Sequence, residues 1–371
     1  MGGPAHATGH VTGAPAAGDV PARSAPSATD ARPDGGAFDE PGHAPVPTVF
    51  LGTGSFAIPV LDALLRVPHA AVVGVVTAPA RPAGRHGRPR PSPVAVHVAK
   101  LAAEGGPLAG VPVLTPERLR APDAVEAVLA LGPGLLVLAD YGQIVPARLL
   151  DAPGHGALNL HPSLLPRHRG AAPIPAAILE GDSQTGVTLM AMDAGMDTGP
   201  VVAQVALPLG GIETAPDLEA QLADEAAGLV EALLPAWIER RIHARPQAAE
   251  GATVTRPLRR SDGLLDPRRP AALLERQVRA YQPWPGSWLE TPGGRLIVWA
   301  ARPLSLAGLP ADAIVPAALL PDDGGLALTA VDGALRLDEV QLAGGRRMSS
   351  AELRRGHPEL SGCRIEGFGV G

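Results

Sequence analysis

The run Asn159-Leu160-His161-Pro162-Ser163-Leu164-Leu165-Pro166 closes an apolar stretch and is the most specific chemical signal in the chain. An extended backbone sends alternate side chains to one face, so Asn159 and His161 sit side by side. An imidazole moves protons near neutral pH, and a carboxamide N–H stabilises an oxyanion. A second run, Met192-Asp193-Ala194-Gly195-Met196-Asp197-Thr198-Gly199-Pro200, follows another apolar stretch. If the two strand ends adjoin, Asp197 reaches His161, raises its pKa and orients the ring. Together the three residues offer acid/base work and oxyanion stabilisation with no nucleophile of their own, which suits transfer to an incoming amine. Taken singly each has a plainer explanation, as a loop cap or a solvated Asp/Gly turn. Neither Ser163 nor Ser55 sits in a G-x-S-x-G elbow, so a serine hydrolase has little support.

A glycine turn comes earlier: Gly52-Thr53-Gly54-Ser55-Phe56-Ala57 fits G-x-G-x-x-G/A between a strand and a helix. A dinucleotide site needs an acid at the end of the second strand to hold the ribose. No Asp or Glu lies between Asp62 and Glu104, so NAD loses half its signature, and only an NADP site using Arg81 stays conceivable. The turn is read as a tight strand-to-helix connection.

These residues need a scaffold. Apolar runs at 48–51, 72–76, 111–114, 135–139, 157–161 and 186–192 read as strands, and helical spacing runs over 56–66, 94–103, 123–131 and 171–179. This alternation predicts an α/β fold with a Rossmann-like, doubly wound, mostly parallel sheet, whose ligands bind beyond the carboxyl ends of the strands. Residues 201–207 read as an edge strand and 215–240 as a helix, followed by a polar, irregular linker over 244–254. Short β-like runs separated by Gly, Pro and Asp then predict a mainly β, OB-like barrel over 255–371. The catalytic domain is expected over 48–243. Residues 1–47 carry 8 glycines and 8 prolines with few aliphatic side chains, too little to bury a core, and are expected to be a disordered tail.

Composition removes several classes. No apolar run approaches the roughly 18 residues a membrane span needs, and the N-terminus lacks a signal core, so a cytoplasmic protein is expected. The single cysteine, Cys363, can form neither an intramolecular disulfide nor a thiolate metal cluster. A net charge of −6 argues against a generic nucleic-acid binder, yet residues 63–103 contain no acid and carry Arg66, Arg81, Arg85, Arg88, Arg90 and Lys100. A polyanion could meet this basic island and avoid the rest.

With Asn159-Leu160-His161, Ser163-Leu164-Leu165-Pro166, Arg169-Gly170-Ala171-Ala172-Pro173-Ile174 and Asp193 to Gly199, the chain resembles the folate-dependent formyltransferases. The likeness extends to Phe50-Leu51-Gly52-Thr53, the basic loop Arg81-Pro82-Ala83-Gly84-Arg85, Tyr141-Gly142 to Pro146, Pro283-Trp284-Pro285 and Arg346-Arg347-Met348. It covers about residues 48 to 365. The resemblance implies a 10-formyltetrahydrofolate donor, the α-amino group of initiator methionyl-tRNA as acceptor, no metal, and a monomer. It makes Asn159, His161 and Asp197 the catalytic set. Folate contacts are expected from Ser163, Leu164, Leu165 and Pro166, with Tyr141, Gly142, Ile144, Asp193 and Gly195 walling the pterin pocket. It also assigns Arg81, Arg85, Arg88 and Arg90 to the tRNA. The alternatives are an enzyme with the same site and another acceptor, such as a sugar nucleotide or water, and a non-catalytic RNA-binding protein that kept the fold.

Overall fold

The computed structural model describes residues 44–83, 87–305 and 317–365. The tail over 1–43 and Arg85 lie outside the described residues. Chain order begins with β1 (Val46–Gly52), α1 (Ala57–Arg66), β2 (Ala70–Val76) and a short hairpin of β3 (Arg81–Ala83) and β4 (Arg88–Arg90). It continues through α2 (Pro93–Ala103), β5 (Val113–Leu114), α3 (Pro122–Leu129), β6 (Leu135–Ala139), α4 (Ala147–Asp151) and β7 (Ala157–His161). Next come β8 (Arg169–Gly170), α5 (Pro173–Glu180), β9 (Gln184–Ala191), β10 (Val201–Pro208) and α6 (Ala215–Ile238). The order of the main sheet is β10-β9-β7-β6-β1-β2-β5; its five strands from β7 to β5 are parallel, whereas β9 is antiparallel to both of its neighbours, β7 and β10.

Strand β6 is apolar throughout and wholly buried, as expected for a strand covered on both faces. On one face α1 and α6 pack together over Phe50, Val137, Leu158 and Leu160; on the other α3 and α4 cover Val49, Leu51, Leu136 and Leu138. Helix α6 starts at a capping box, in which the Thr214 hydroxyl and the Asp217 carboxylate each bond the other's backbone N–H. It buries Leu218, Leu222, Ala226, Val230 and Leu234, a helical stripe whose fully buried leucines contribute about 1.5–3 kcal/mol each. All parallel strands leave the sheet at one edge, so Gly52, Ala139 and His161 end on the same side, where the β3–β4 hairpin also emerges.

After α6 the chain forms β11 (Val254–Thr255), α7 (Ala271–Ala280), β12 (Ser287–Thr291), β13 (Gly294–Leu304), β14 (Leu319–Asp322), β15 (Gly325–Ala330), β16 (Gly333–Leu342), β17 (Met348–Ser349) and α8 (Ser350–Gly356). Strands β12 to β17 build one six-stranded antiparallel sheet with its own core around Leu289, Leu296, Leu328 and Leu337. The stretch expected to be a linker is irregular over 246–253 and tied down at both ends: Arg245 bridges to Val201, and β11 pairs with β8. Helix α7 packs on α5, and Ala280 and Tyr281 enter the core of the first sheet, so both sheets belong to one compact unit.

Candidate active site

In β7 the side chains of Leu158 and Leu160 enter the α1–α6 core, while Asn159 and His161 turn to the other face. Strand β9 is antiparallel to β7, with Leu158 opposite Ala191 and His161 opposite Thr188, so the carboxyl end of β9 lies beside the start of β7. The two strand ends therefore do not adjoin as the sequence reading required. Asp197 arrives by another route: the loop 192–200 folds back across the sheet, anchored by Met192 N donating to Ala157 O at 2.8 Å, and Asp197 adopts a left-handed φ of 54°.

The resulting geometry is compact. Asp197 Oδ2 accepts a hydrogen bond from Gly170 N at 2.8 Å and lies 3.6 Å from His161 Nδ1; its Oδ1 is 3.5 Å from Asn159 Nδ2. The latter two distances are electrostatic contacts more than formed hydrogen bonds, leaving the Asn159 N–H and the His161 Nδ1 available to a reacting group. His161 Nε2 is 2.9 Å from the His168 carbonyl. A carbonyl only accepts, so Nε2 carries the proton, and the lone pair of the neutral ring is on Nδ1, facing Asp197. Burial pushes the His161 pKa below the ordinary imidazole value, outweighing the opposing pull of Asp197, so the expected rise does not occur. The ring is a neutral base beside a carboxylate.

A second network holds the carbonyl that fixes this tautomer. His168 has a φ of 58°, its N donates to Thr253 Oγ1 at 2.8 Å, and its Nε2 lies 2.7 Å from Asp182 Oδ2. Arg167 forks onto Asp182, with Nε 3.1 Å from Oδ2 and Nη2 2.5 Å from Oδ1, and also reaches Glu180 at 2.6 Å. Burial opposes ionisation of Asp182, but the bonds from Arg167 and His168 win and hold its carboxyl below the usual carboxylate range. His168, Glu180 and Asp182 are of metal-ligand type and cluster closely, yet the Arg167 guanidinium already bridges both carboxylates.

A family model described as formyl transferase matches residues 47–233, and one described as formyl transferase, C-terminal domain, matches 257–358. The chain belongs to the formyltransferase family. Methionyl-tRNA formyltransferase of Halorhodospira halophila is 43% identical, covering 86% of this chain and 98% of its own; that of Paramagnetospirillum magneticum is 41% identical, covering 83% and 96%. Among solved structures, the sugar 3N-formyl transferase WlaRD, in the presence of dTDP and 5-N-formyl-THF, superposes with a TM-score of 0.55 at 15% identity, covering 80% of this chain and 98% of its own. A HypX variant from Aquifex aeolicus superposes with a TM-score of 0.55 at 16% identity, and the matched region is 52% of that chain. At those identities the likeness to solved structures is one of fold.

The other candidate residues of this formyltransferase divide by exposure. Ser163 and Leu165 are buried; the Ser163 hydroxyl donates to Arg167 O at 2.6 Å, and Leu165 N donates to Thr188 Oγ1 at 3.1 Å. The Ser163 hydroxyl and the Leu165 N–H are thus engaged, while Leu164 and Pro166 are half-buried. Asp193 builds its own loop, accepting from Gly195 N at 3.0 Å and from the Thr198 hydroxyl at 2.8 Å. Tyr141 packs with Met192 on the Asn159 side of the sheet, its buried Oη has no partner among the described residues, and burial pushes its pKa up to about 12. Gly142 follows Tyr141, and Ile144 is 80% exposed. Arg81, Arg88 and Arg90 are exposed on the β3–β4 hairpin, with Arg81 opposite Arg90; Arg81 has a partner in Glu117 at 3.3 Å.

The glycine turn holds no phosphate cradle. Asp140, at the end of β6, lays its carboxylate so close to Gly54 that a Cβ there would meet Oδ2 at 1.8 Å. Burial of that carboxyl and the nearby Glu219 raise the Asp140 pKa to about 6. Two acids at this crevice oppose a pyrophosphate. Sequence reading missed Gln247, Thr253 and Thr255, which tie the segment after α6 to the site; their only signal was a polar stretch.

Proposed function

We propose that the chain transfers the formyl group of 10-formyltetrahydrofolate to the α-amino group of initiator methionyl-tRNA. The observation that carries this reading is the meeting of Asn159, His161 and Asp197 in a chain whose curated relatives, methionyl-tRNA formyltransferases 39–43% identical to it, are matched over 95–99% of their own length. The C-terminal sheet is part of that match.

In this mechanism the amine nitrogen attacks the formyl carbon, and the carbonyl oxygen takes up negative charge. Asn159 Nδ2, only loosely held by Asp197, turns its N–H to that oxygen, an interaction strongest in the transition state. The attacking nitrogen loses a proton to His161 Nδ1, the one basic nitrogen of a ring whose Nε2 is committed to His168 O. The imidazolium so formed lies 3.6 Å from the Asp197 carboxylate, which stabilises it and keeps it oriented. The C–N10 bond then breaks as the same proton passes to N10. The products are the N-formyl amine and tetrahydrofolate, with atoms and charge balanced and water not consumed.

Tyr141, Gly142, Ile144 and the Asp193–Gly195 turn would border the pterin, and the backbone of 163–166 would line the folate. Arg81, Arg88 and Arg90, on the edge of the sheet where β7 ends, present positive charge to the acceptor end of the tRNA; the C-terminal sheet adds contacts to its body. The domain division is 48–243 for catalysis and 255–371 for tRNA, with a dispensable tail before it. No described helix is long and apolar enough to cross a membrane. The reading places the enzyme in the cytoplasm, where its tRNA acceptor is found, as a monomer. The test pairs wild type with Asn159→Ala and His161→Ala in formylation of charged initiator tRNA; wild-type product with loss in both variants supports the reading, and undiminished transfer in either refutes the assignment.

A further inference from the structure

We propose that Gln247 is a positioning residue for the reaction, acting by holding the Asp197 carboxylate at its working distance from His161. The proposal rests on the catalytic reading above and extends it to a segment outside both catalytic runs. Gln247 Nε2 donates to Asp197 O at 2.8 Å and to Gly199 O at 2.7 Å. Its Oε1 accepts from Arg169 at both Nε (3.1 Å) and Nη2 (2.7 Å). All four hydrogen-bonding capacities of the carboxamide are therefore used at once. They join the main chain of the loop that carries Asp197 to the strand residue next to Gly170, whose N–H grips the same carboxylate at 2.8 Å.

That loop needs an external anchor. Asp197 is held at a φ of 54°, a region costly for a residue with a Cβ, and its turn is exposed from Asp193 to Met196. The backbone bonds of Met192 N to Ala157 O and of Ala191 N to Pro200 O hold only the two ends of the loop, and within the turn Asp193 bonds Gly195 and Thr198, so the main chain at Asp197 and Gly199 takes its anchor from Gln247. Gln247 is itself pinned: Arg245 exchanges two backbone hydrogen bonds of 2.7 Å with Val201, and Thr253 and Thr255 receive the backbone N–H groups of His168 and Ala172. The same short segment thus supports both the loop behind Asp197 and the carbonyl that fixes the tautomer of His161. No other side chain reproduces the Gln247 pattern. Glu lacks the donors for the two carbonyls, Met lacks donors and acceptors, and Asn is one methylene short.

The experiment uses the full chain carrying Gln247→Met or Gln247→Leu, neither of which adds a charge beside His161. A 1 Å retreat of the carboxylate, at an effective dielectric of about 20, lowers the His161 titration midpoint by about 0.7 pH unit. NMR of the imidazole in the ligand-free protein should show this shift in both variants, and no further shift when Gln247→Met is added to Asp197→Asn. The formylation kcat should fall at least about tenfold, while KM for both substrates stays within about threefold. An unmoved His161 midpoint in variants that melt within a few degrees of wild type overturns the proposal whatever the acceptor proves to be. A shift of equal size in the Asp197→Asn background also overturns it. Failure of wild type to formylate methionyl-tRNA would count against the acceptor assignment alone, because the titration reads Gln247 without any acceptor.

Discussion

Replacing Asp197 with Asn removes one negative charge from beside His161 and leaves the local hydrogen bonding nearly intact. The amide oxygen can still accept from Gly170 N, a bond of 2.8 Å, and the contact with Asn159 at 3.5 Å is too long for its loss to cost much stability. What disappears is the attraction between carboxylate and imidazolium at 3.6 Å. At an effective dielectric of about 20, that attraction is about 4 to 5 kcal/mol, or roughly three decades in rate if the imidazolium is fully formed in the transition state. We expect kcat to fall about 10²- to 10³-fold, because proton transfer is only partly complete at that point. Affinity for both substrates should hold. The pH profile gives a second, signed readout. Asp197 raises the His161 pKa against the lowering effect of burial, so its removal moves the acid limb of kcat to lower pH. The assay is initial-rate formylation of charged tRNA from pH 5 to 9, with thermal melting as the folding control. A kcat within tenfold of wild type and an unmoved acid limb would refute the role given to Asp197.

Asn159→Ala should lower kcat by about 10²- to 10³-fold with little change in melting temperature, as loss of one oxyanion donor does; initial rates measure it. Arg88→Ala with Arg90→Ala should raise KM for tRNA several-fold, flatten its dependence on salt and leave folate binding unchanged; titration at two salt concentrations reads the difference. Asp140→Asn should stabilise the protein above pH 6. The folded-state pKa of Asp140, about 6, is raised from 3.8, so ionisation is penalised in the native state and stability falls as pH rises from about 4 to about 6. The full shift corresponds to about 3 kcal/mol. Asp140 is exposed as a residue although its carboxyl is crowded by Gly54, and solvent screening reduces the expected gain to about 1 kcal/mol. Denaturant melts at pH 4 and pH 7.5 should show a gain at the higher pH only.

The parts of the fold legible in sequence are those whose side chains have one dominant period. Strands β6 and β7 fall on the expected residues 135–139 and 157–161, because continuous apolar runs between turns leave no other reading. Strand β1 starts at Val46, two residues early, since Pro47 disguises its beginning. Helix α7 was invisible among Glu275, Arg276 and Arg279, though Ala271, Leu274 and Val278 form its buried stripe. For the site, the side-by-side placement of Asn159 and His161 follows from strand alternation alone. The approach of Asp197 does not, because it depends on β9 running antiparallel and on a left-handed backbone. Gln247 was the least legible: four hydrogen bonds from one polar residue in an irregular segment leave no periodic trace.

The most direct test of the account combines the purified chain with 10-formyltetrahydrofolate and charged initiator methionyl-tRNA, and measures N-formylmethionine released from the tRNA. The account predicts stoichiometric formylation by wild type and a loss of at least about 10²-fold with His161→Ala. Formylation of an amino sugar nucleotide in place of the tRNA, or release of free formate with the amine left unmodified, would contradict it.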